Sequence, residues 1–572
     1  MMLKIPYGES NFERIRTQNY VYVDKTHFIE QLEPIDKLIH LRPRRFGKSL
    51  FISMLEAYYD VAQADKFDAL FKGLYIHENP TGYQNNYYIL RFNFSGIQNM
   101  RENDIENGFI GKVRDGCQLF VSKYKFDIRL SECDTAASIL KTTLSGVKAS
   151  SVPHKVYILI DEYDHFTNTL LSGDGGEFLS LLQRGGFVRS FYEIIKEQSE
   201  IGVVERLFMT GVMSVTLDSM TSGFNVGTNI TTRPEFSDMM GFTADEVKEM
   251  LALTYARPGK RNEVVDLTDI EQTTIFEVFK DHYNGYLFSE EADVKVFNST
   301  LVMHYMKHYL WRNKPPSRLV DDNLNQTGAT IESIVSLKNK EQNYQVIEQI
   351  IEDSQVEGTL QPFIKIDEKF DKNDLITLLF NIGMLTIKGE DILTQFEMPN
   401  KIIQNIYYEY LKNLLERQSN YTLDLQKQQD AIIDLGRHGE ITLLNAVVSE
   451  FLNHTSGRNR INFDEKYIKL VYLMILAYTN QLDVYDEFPA LQGYSDLFIQ
   501  KTPNTTAKFE VLIELKYVKK SETTEAKIEA AFVEGVHQIT EYMQDERLSK
   551  RENLRKYVVV FSGFDVVRMG EL

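Results

Sequence analysis

The rhythm of hydrophobic and polar positions changes twice along this chain. From about residue 37 to 240, short apolar runs (Lys37 to Leu41, Tyr87 to Phe94, Val156 to Ile160, Arg206 to Met209) alternate with stretches of helical period. Strands covered on both faces read as continuous apolar runs and need crossover helices between them, so this pattern predicts an α/β domain with a parallel sheet. Between Thr243 and about Gln426 the period is mostly helical. Within it, Leu375 to Leu385, then Ile392 to Met398 and a further helix, has the order of a winged-helix-like module. After roughly Leu435 helix and strand mix again, ending in the strand-like Lys556 to Phe561. A chain of 572 residues exceeds what one core organises. The predicted division is therefore 1–240, an α/β nucleotide-binding domain; 241–430, a helical lid and winged-helix-like region; and 431–572, a C-terminal α/β domain.

Composition narrows the function classes. Hydrophobic residues make up 43% and charged residues 25% of the chain, an ordinary globular balance. The net charge of −19 excludes a surface that is basic throughout, so a nucleic-acid contact has to be confined to patches such as Arg42 to Arg45 or Lys516 to Lys520. Solvated surface is the competing reading of the second patch. Only Cys117 and Cys133 are present, which argues against disulfide scaffolding and structural zinc and leaves any metal to oxygen ligands. The opening Met1 to Pro6 lacks the features of a secretory signal, and apolar runs such as Val471 to Tyr478 are too short to span a bilayer. A cytoplasmic location without membrane contact is expected.

Candidate chemistry first appears where the strand Lys37 to Leu41 meets a helix starting near Ser49, through Arg42-Pro43-Arg44-Arg45-Phe46-Gly47-Lys48-Ser49. A phosphate-binding loop needs this strand–loop–helix context, because backbone N–H groups and the helix N-terminus cradle phosphates. In that frame Arg45, Phe46 and Gly47 belong to the loop, Lys48 reaches the β- and γ-phosphates of ATP, and the Ser49 hydroxyl ligates Mg²⁺. Arg42 stands where the pattern GxxxxGK[ST] has its first glycine. Taken alone, the segment also reads as a basic turn before an amphipathic helix. The second element is the apolar run Val156 to Ile160 ending in Asp161 and Glu162. Asp161 is placed to hold the Mg²⁺ shell and Glu162 to polarise an attacking water, with Tyr88 to Phe94 read as the additional strand of such an ATPase. Thr210, at the end of Arg206 to Met209, reads either as a γ-phosphate sensor or as part of a plain turn.

Tyr22-Val23-Asp24-Lys25-Thr26, Arg42 to Ser49, Ile160 to Asp164, Thr210-Gly211-Val212 and Tyr283-Asn284-Gly285-Tyr286 together resemble the bacterial AAA-ATPase-like family often paired with a PD-(D/E)XK nuclease domain. The resemblance spans about the first half of the chain. It implies that Arg42 is the family norm at its position. It also implies kinship with signal-transducing ATPases that carry a helical lid and a winged helix after the P-loop core. Arg233 then reads as an arginine finger or phosphate sensor, or as a surface arginine before Pro234.

In the C-terminal third, Gly493 to Ile499 reads as a strand, Lys501 to Lys508 as a polar turn, and Phe509 to Lys516 as the returning strand. Residues two apart share a strand face, so Glu514 and Lys516 point one way and Leu515 the other. Asp496 and Glu514 are hard-oxygen donors for Mg²⁺, with Mn²⁺ as an alternative, and Lys516 is placed to orient the water that attacks a phosphodiester. The geometry reads as a solvent-facing metal site, although a strand-borne Glu-x-Lys also serves simply as edge charge. Helix Phe463 to Tyr467 carrying Glu465, the extended segment carrying Glu487, and the following helix with Gln538 and Tyr542 at i and i+4 complete a resemblance to the PD-(D/E)XK nuclease fold. That fold has αβββαβ order and is restriction-endonuclease-like. The resemblance implies a nucleic-acid partner, DNA before RNA, and a setting in defence or mobile-element control. Two functions follow: an ATP-regulated, Mg²⁺-dependent nuclease, or an ATP-dependent switch or scaffold, capable of oligomerising, whose C-terminal fold binds nucleic acid or protein without cleaving.

Overall fold

The computed structural model describes residues 2–97, 102–164, 186–214, 227–260, 263–320, 327–337, 339–362, 364, 370–390, 392–455, 464–477, 482–491, 493–502 and 505–572. Phe463 and Tyr478 lie outside the described residues. Two compact units are formed: Met1–Asn313 with Ala329–Ile350 and Ser354–Lys401, and Lys314–Gly328 with Ile351–Asp353 and Ile402–Leu572. Among the described residues no helix is long and apolar enough to cross a membrane.

The first unit is built on five parallel strands, β1 (Lys37–Leu41), β2 (Tyr87–Asn93), β3 (Lys155–Asp161), β4 (Val204–Gly211) and β5 (Thr228–Asn229), in the order β2-β3-β4-β1-β5. The apolar runs become these strands because both faces are covered: Val156 to Asp161 are buried without a break. The strand that separates the P-loop strand β1 from β3 is β4, whereas β2, which lies between the two motifs in sequence, sits at the edge. Helix α1 (Lys48–Tyr59) follows β1 directly and buries Phe51, Ile52, Met54, Leu55 and Tyr58. Such near-complete burial suits a central helix packed under the sheet.

Later residues of this unit form the winged-helix-like module. Strands β6 (Gln355–Gly358), β7 (Thr386–Glu390) and β8 (Thr394–Glu397) make an antiparallel sheet in the order β6-β8-β7, with helix α2 (Lys372–Asn381) between β6 and β7 in the chain. Every residue of α2 from Asp374 to Asn381 is buried. A groove-reading helix needs one exposed face, so α2 serves packing. The Tyr283-Asn284-Gly285-Tyr286 segment explains itself here. Asn400 donates to the Asn284 carbonyl at 2.8 Å, Asn298 N–H to the Tyr283 carbonyl at 2.8 Å, and Tyr286 pairs with Val296. Gly285 has φ +98° and lies so close to Pro399 that a Cβ would fall 1.9 Å from its carbonyl oxygen.

The second unit carries a five-stranded mixed sheet, β9 (Leu482–Pro489), β10 (Tyr494–Lys501), β11 (Glu510–Val518), β12 (Leu554–Ser562) and β13 (Asp565–Glu571), in that order. β11 and β12 are parallel and are joined through helix α3 (Glu525–Tyr542); the other pairs are antiparallel. With the helix Glu465–Leu476 ahead of β9, the order is αβββαβ plus one added edge strand. Alternation divides the central strands cleanly. Leu497, Ile499, Val511, Ile513 and Leu515 are buried on one face, while Phe498, Leu512 and Val518 pack with Ile539, Tyr542, Val558 and Val560 on the face covered by α3.

Gly285→Ala is expected to lower the stability of the first unit by about 2–4 kcal/mol, since both the positive φ and the Pro399 carbonyl oppose a Cβ. Denaturant titration of the full chain measures it; an unchanged midpoint would show that the backbone there yields freely.

Candidate functional site

The first unit gathers its polar groups at the C-terminal ends of β1, β3 and β4, the usual ligand edge of a parallel sheet. Gly47, at φ +91°, caps α1, and Arg45 also adopts a left-handed conformation at φ +77°. The loop is held from outside by Gly241 N–H donating to the Phe46 carbonyl at 3.1 Å and Thr300 N–H to the Arg45 carbonyl at 3.2 Å. Phe46 is buried against Tyr286 and Phe288. The ring of Phe46 therefore anchors the loop.

Arg42 is fully buried. Its guanidinium donates to the carbonyls of Leu41 (2.9 Å), Thr231 (2.8 Å), Phe236 (2.9 Å) and Ser237 (3.2 Å) and lies 4.1 Å from the Phe288 ring centroid. Burial pulls its pKa down to about 9, with Asp238 opposing. The residue at the first glycine position thus faces inward and ties the P-loop to the segment after β5. Arg233, within that segment, is 44% exposed at its side chain and lies 3.7 Å from Glu235.

The Lys48 ammonium donates to the Arg42 and Pro43 carbonyls, both at 2.9 Å. Burial lowers its pKa to about 8 against the pull of Asp164, Asp161 and Glu162. Asp161 is buried, and neither carboxylate oxygen meets a hydrogen-bond partner, although the Ser49 hydroxyl is near enough to favour the ionised form. Burial, with Glu162 adding to it, raises the Asp161 pKa. Glu162 follows at φ +52°, a left-handed conformation that turns the chain sharply off the strand end. The Thr210 hydroxyl donates to the His40 carbonyl at 2.8 Å, joining β4 to β1.

Two residues that sequence reasoning left without a role complete this edge. Asp164 is buried and accepts from the Val212 and Met213 amides at 2.9 and 2.6 Å, while the Tyr163 hydroxyl donates to the Met213 carbonyl at 2.5 Å. Gly211 is required beneath them, because a Cβ there would fall 2.4 Å from Asp164 Oδ1. The Thr-Gly that ends β4 was legible as a motif; its partner across the sheet was not, since nothing local links residues 164 and 211.

In the second unit Asp496, Glu514 and Lys516 project on the α3 side of β10 and β11, as their parity requires. Asp496 accepts from Leu515 N–H at 2.8 Å. The Lys516 ammonium donates to Glu514 Oε1 at 2.9 Å and to the Leu515 carbonyl at 3.0 Å, with Glu465 at 3.9 Å. Glu514 is 2% and Lys516 7% exposed while Asp496 is half-buried, so the glutamate and lysine are enclosed and not solvent-facing as expected; α3 roofs that face of the sheet. Burial, then the neighbouring Asp496, pushes the Glu514 carboxyl up to about 7, and its Oε2 has no partner of hydrogen-bond geometry. Burial also raises Asp496 and Glu465. Burial opposes the charged Lys516, yet Glu514, Glu465 and Asp496 outweigh it and hold its pKa above the ordinary value.

The accessory residues are placed as follows. Glu487 sits at φ +54° in β9, between the pairs Asp486–Leu497 and Phe488–Ser495 and with the register unbroken across it, and binds Lys469 at 3.0 Å. Its charge is felt at Asp496. Gln538 lies one turn before Tyr542, its side-chain oxygen buried without a partner. Among the described residues no three His, Cys, Asp or Glu side chains form a ready metal cage. The hard-oxygen pair Asp496 and Glu514, with the Leu515 carbonyl beside it, nevertheless fits a divalent cation, which would relieve two carboxylates whose pKa values burial raises, Asp496 adding to the rise at Glu514. In the first unit the partnerless Asp161 and the Ser49 hydroxyl fit Mg²⁺ in the same way.

A P-loop edge in one unit and a carboxylate–lysine centre on a mixed αβββαβ sheet in the other define a protein that joins an ATPase-like domain to a nuclease-like one. Comparison bears this out: residues 6–221 match the family model described as a predicted AAA-ATPase, and residues 463–571 match that of the PD-(D/E)XK nuclease superfamily. The chain carries both domains. It is also 26% identical over 324 residues to an uncharacterized protein in the vnfD 5′ region of Azotobacter chroococcum mcd 1, covering 56% of this chain and 55% of that protein. The match thus spans about half the length of the curated relative.

Two outcomes follow. Arg42→Gly, which would restore the conventional P-loop pattern, is expected to cost about 3 kcal/mol or more of stability, because buried carbonyls lose their donor; chemical denaturation measures it. Glu514 has a folded pKa near 7 above its ordinary 4.5, so it favours the fold below about 4.5 and loses that contribution as pH rises through 7. Without divalent cations, wild type should lose stability relative to Glu514→Gln between those values, read by thermal unfolding across pH; parallel profiles would refute the shift.

Proposed function

We propose that the first unit binds and hydrolyses ATP and that the second cleaves nucleic-acid phosphodiesters, DNA before RNA, with the nucleotide state controlling the cleavage. In this reading the three-part division at residues 240 and 430 separates motor, lid and nuclease. The observation that carries it is a buried carboxylate in each unit with an oxygen lacking a hydrogen-bond partner, Asp161 and Glu514, beside a lysine whose ammonium rests on backbone carbonyls. A buried acceptor without a partner costs about 1–3 kcal/mol, and a bound cation removes that cost.

In the first unit Lys48 exchanges the Arg42 and Pro43 carbonyls for phosphate oxygens, while the N-terminus of α1 faces the anion. Ser49 and Asp161 would hold Mg²⁺. Glu162, turned off the strand end, orients the attacking water, and Thr210 keeps β4 in register with β1 so that the edge stays assembled. In the second unit Asp496 and Glu514 would hold Mg²⁺ or Mn²⁺, with Glu465 and Glu487 adding to the negative field and Gln538, its side-chain oxygen buried on α3, as a polar accessory. A divalent cation supplies Lewis acidity toward the phosphoryl oxygens when bound. Lys516 orients the water and compensates charge as the phosphate approaches. The absence of a membrane-spanning helix among the described residues is compatible with a cytoplasmic setting, and defence or mobile-element control fits the pairing of domains.

Calorimetry and phosphate release should show that Lys48→Ala loses ATP binding, whereas Glu162→Gln keeps ATP and stops hydrolysis. In Mg²⁺-dependent cleavage of single-stranded DNA, duplex DNA and RNA, with and without ATP, Asp496→Ala, Glu514→Ala and Lys516→Ala should each lower the rate by about 100-fold or more. Undiminished ATP affinity in Lys48→Ala would remove the P-loop assignment. Nucleic-acid binding without cleavage on any substrate would replace the nuclease by a binding module.

A further inference from the structure

The hairpin joining β9 to β10 exposes two large apolar side chains, Leu491 at 69% and Tyr494 at 64%. Singly exposed apolar residues are common and need no explanation. Tyr494 differs by its placement. It stands two residues before Asp496 on the same strand, and so on the same face, roughly 7 Å away by the strand repeat. Behind it, Gly493 at φ +94° packs at the Tyr542 ring, with a Cβ position 3.6 Å from Cε1. The Tyr542 hydroxyl in turn approaches Glu514. The tip of the hairpin is therefore continuous with the carboxylate–lysine centre.

The described residues on either side of that tip are tied to their neighbours. Ala490 N–H donates to the Gly493 carbonyl at 3.0 Å, and Tyr494 pairs across the ladder with Pro489. The Pro489 carbonyl accepts from Arg547 at 2.5 Å, and the Arg547 guanidinium lies 5.3 Å from the Phe488 ring centroid, fixed by Asp545 at 2.7 Å. A flat aromatic face is thus presented to solvent from a fixed backbone beside groups suited to a phosphodiester. Unpaired bases stack on such faces irrespective of sequence, whereas the bases of a duplex have their faces already occupied.

We propose that Tyr494 is a stacking platform for an unpaired nucleobase next to the scissile phosphate, making single-stranded nucleic acid the preferred substrate class of the C-terminal unit. This rests on the nuclease reading given above. Fluorescence anisotropy of the full-length protein in EDTA, with a labelled single strand and a blunt duplex of equal length, each as DNA and as RNA, tests it. Stacking is worth about 1–3 kcal/mol per base, so Tyr494→Ala should weaken single-strand binding by about tenfold and duplex binding by less than about twofold. Tyr494→Phe, which keeps the ring, should match wild type, and Tyr494→Leu, which keeps apolar bulk without a ring, should lose as much as Ala. Equal loss on single strand and duplex, or Leu matching wild type, overturns the platform. If wild type binds and cleaves nucleic acid and Tyr494→Ala is unchanged, the platform fails while the nuclease reading stands. If wild type neither binds nor cleaves, that reading fails and takes the platform with it.

Discussion

The first unit depends on one buried charge. Arg42 cannot shed its proton at neutral pH even with its pKa lowered by burial, so the fold must surround the guanidinium with acceptors. It does so with main-chain carbonyls rather than a carboxylate, drawn from Leu41, Thr231, Phe236 and Ser237. Breaking such an arrangement is costlier than never having built it. The P-loop, the segment after β5 and the ring of Phe288 are consequently one piece. That piece also contacts the winged-helix-like module, because Gly383 lies against Pro43 with a Cβ position 3.0 Å away. Conformational change at the phosphate-binding loop cannot be confined to the loop.

Much of the fold was legible because buried parallel strands have no polar face to disguise them. Val156 to Ile160 read as a strand and are one, and the pair at its end sits where a cation-binding edge belongs. Asp496, Glu514 and Lys516 were legible from period two alone. Burial of Glu514 and Lys516 was not, since α3 is what roofs the face and its residues lie beyond the strands in sequence. Arg42 read as a basic turn residue because its acceptors lie as far as 195 positions away. The insertion of β4 between β1 and β3 is likewise a non-local fact. The left-handed backbone at Glu487 left no mark because it falls on a residue that is not glycine.

The winged-helix-like module shows how an inferred architecture and its usual use separate. Its elements appear in the expected order, yet α2 is wrapped on all sides. What it presents outward is the tip of the hairpin β7–β8, where Ile392 is 94% exposed. Architecture therefore says little here about recognition, and the chemistry has to be sought in side chains with unmet bonding.

Lys48 and Lys516 share one circumstance: each has already exchanged its hydration shell for acceptors of neighbouring residues, two backbone carbonyls at Lys48 and the Leu515 carbonyl with the Glu514 carboxylate at Lys516. The work of dehydrating an ammonium is thus done once, during folding. Arrival of an anion at either lysine is then a swap of one acceptor for another, with no fresh cost of stripping water from the charge.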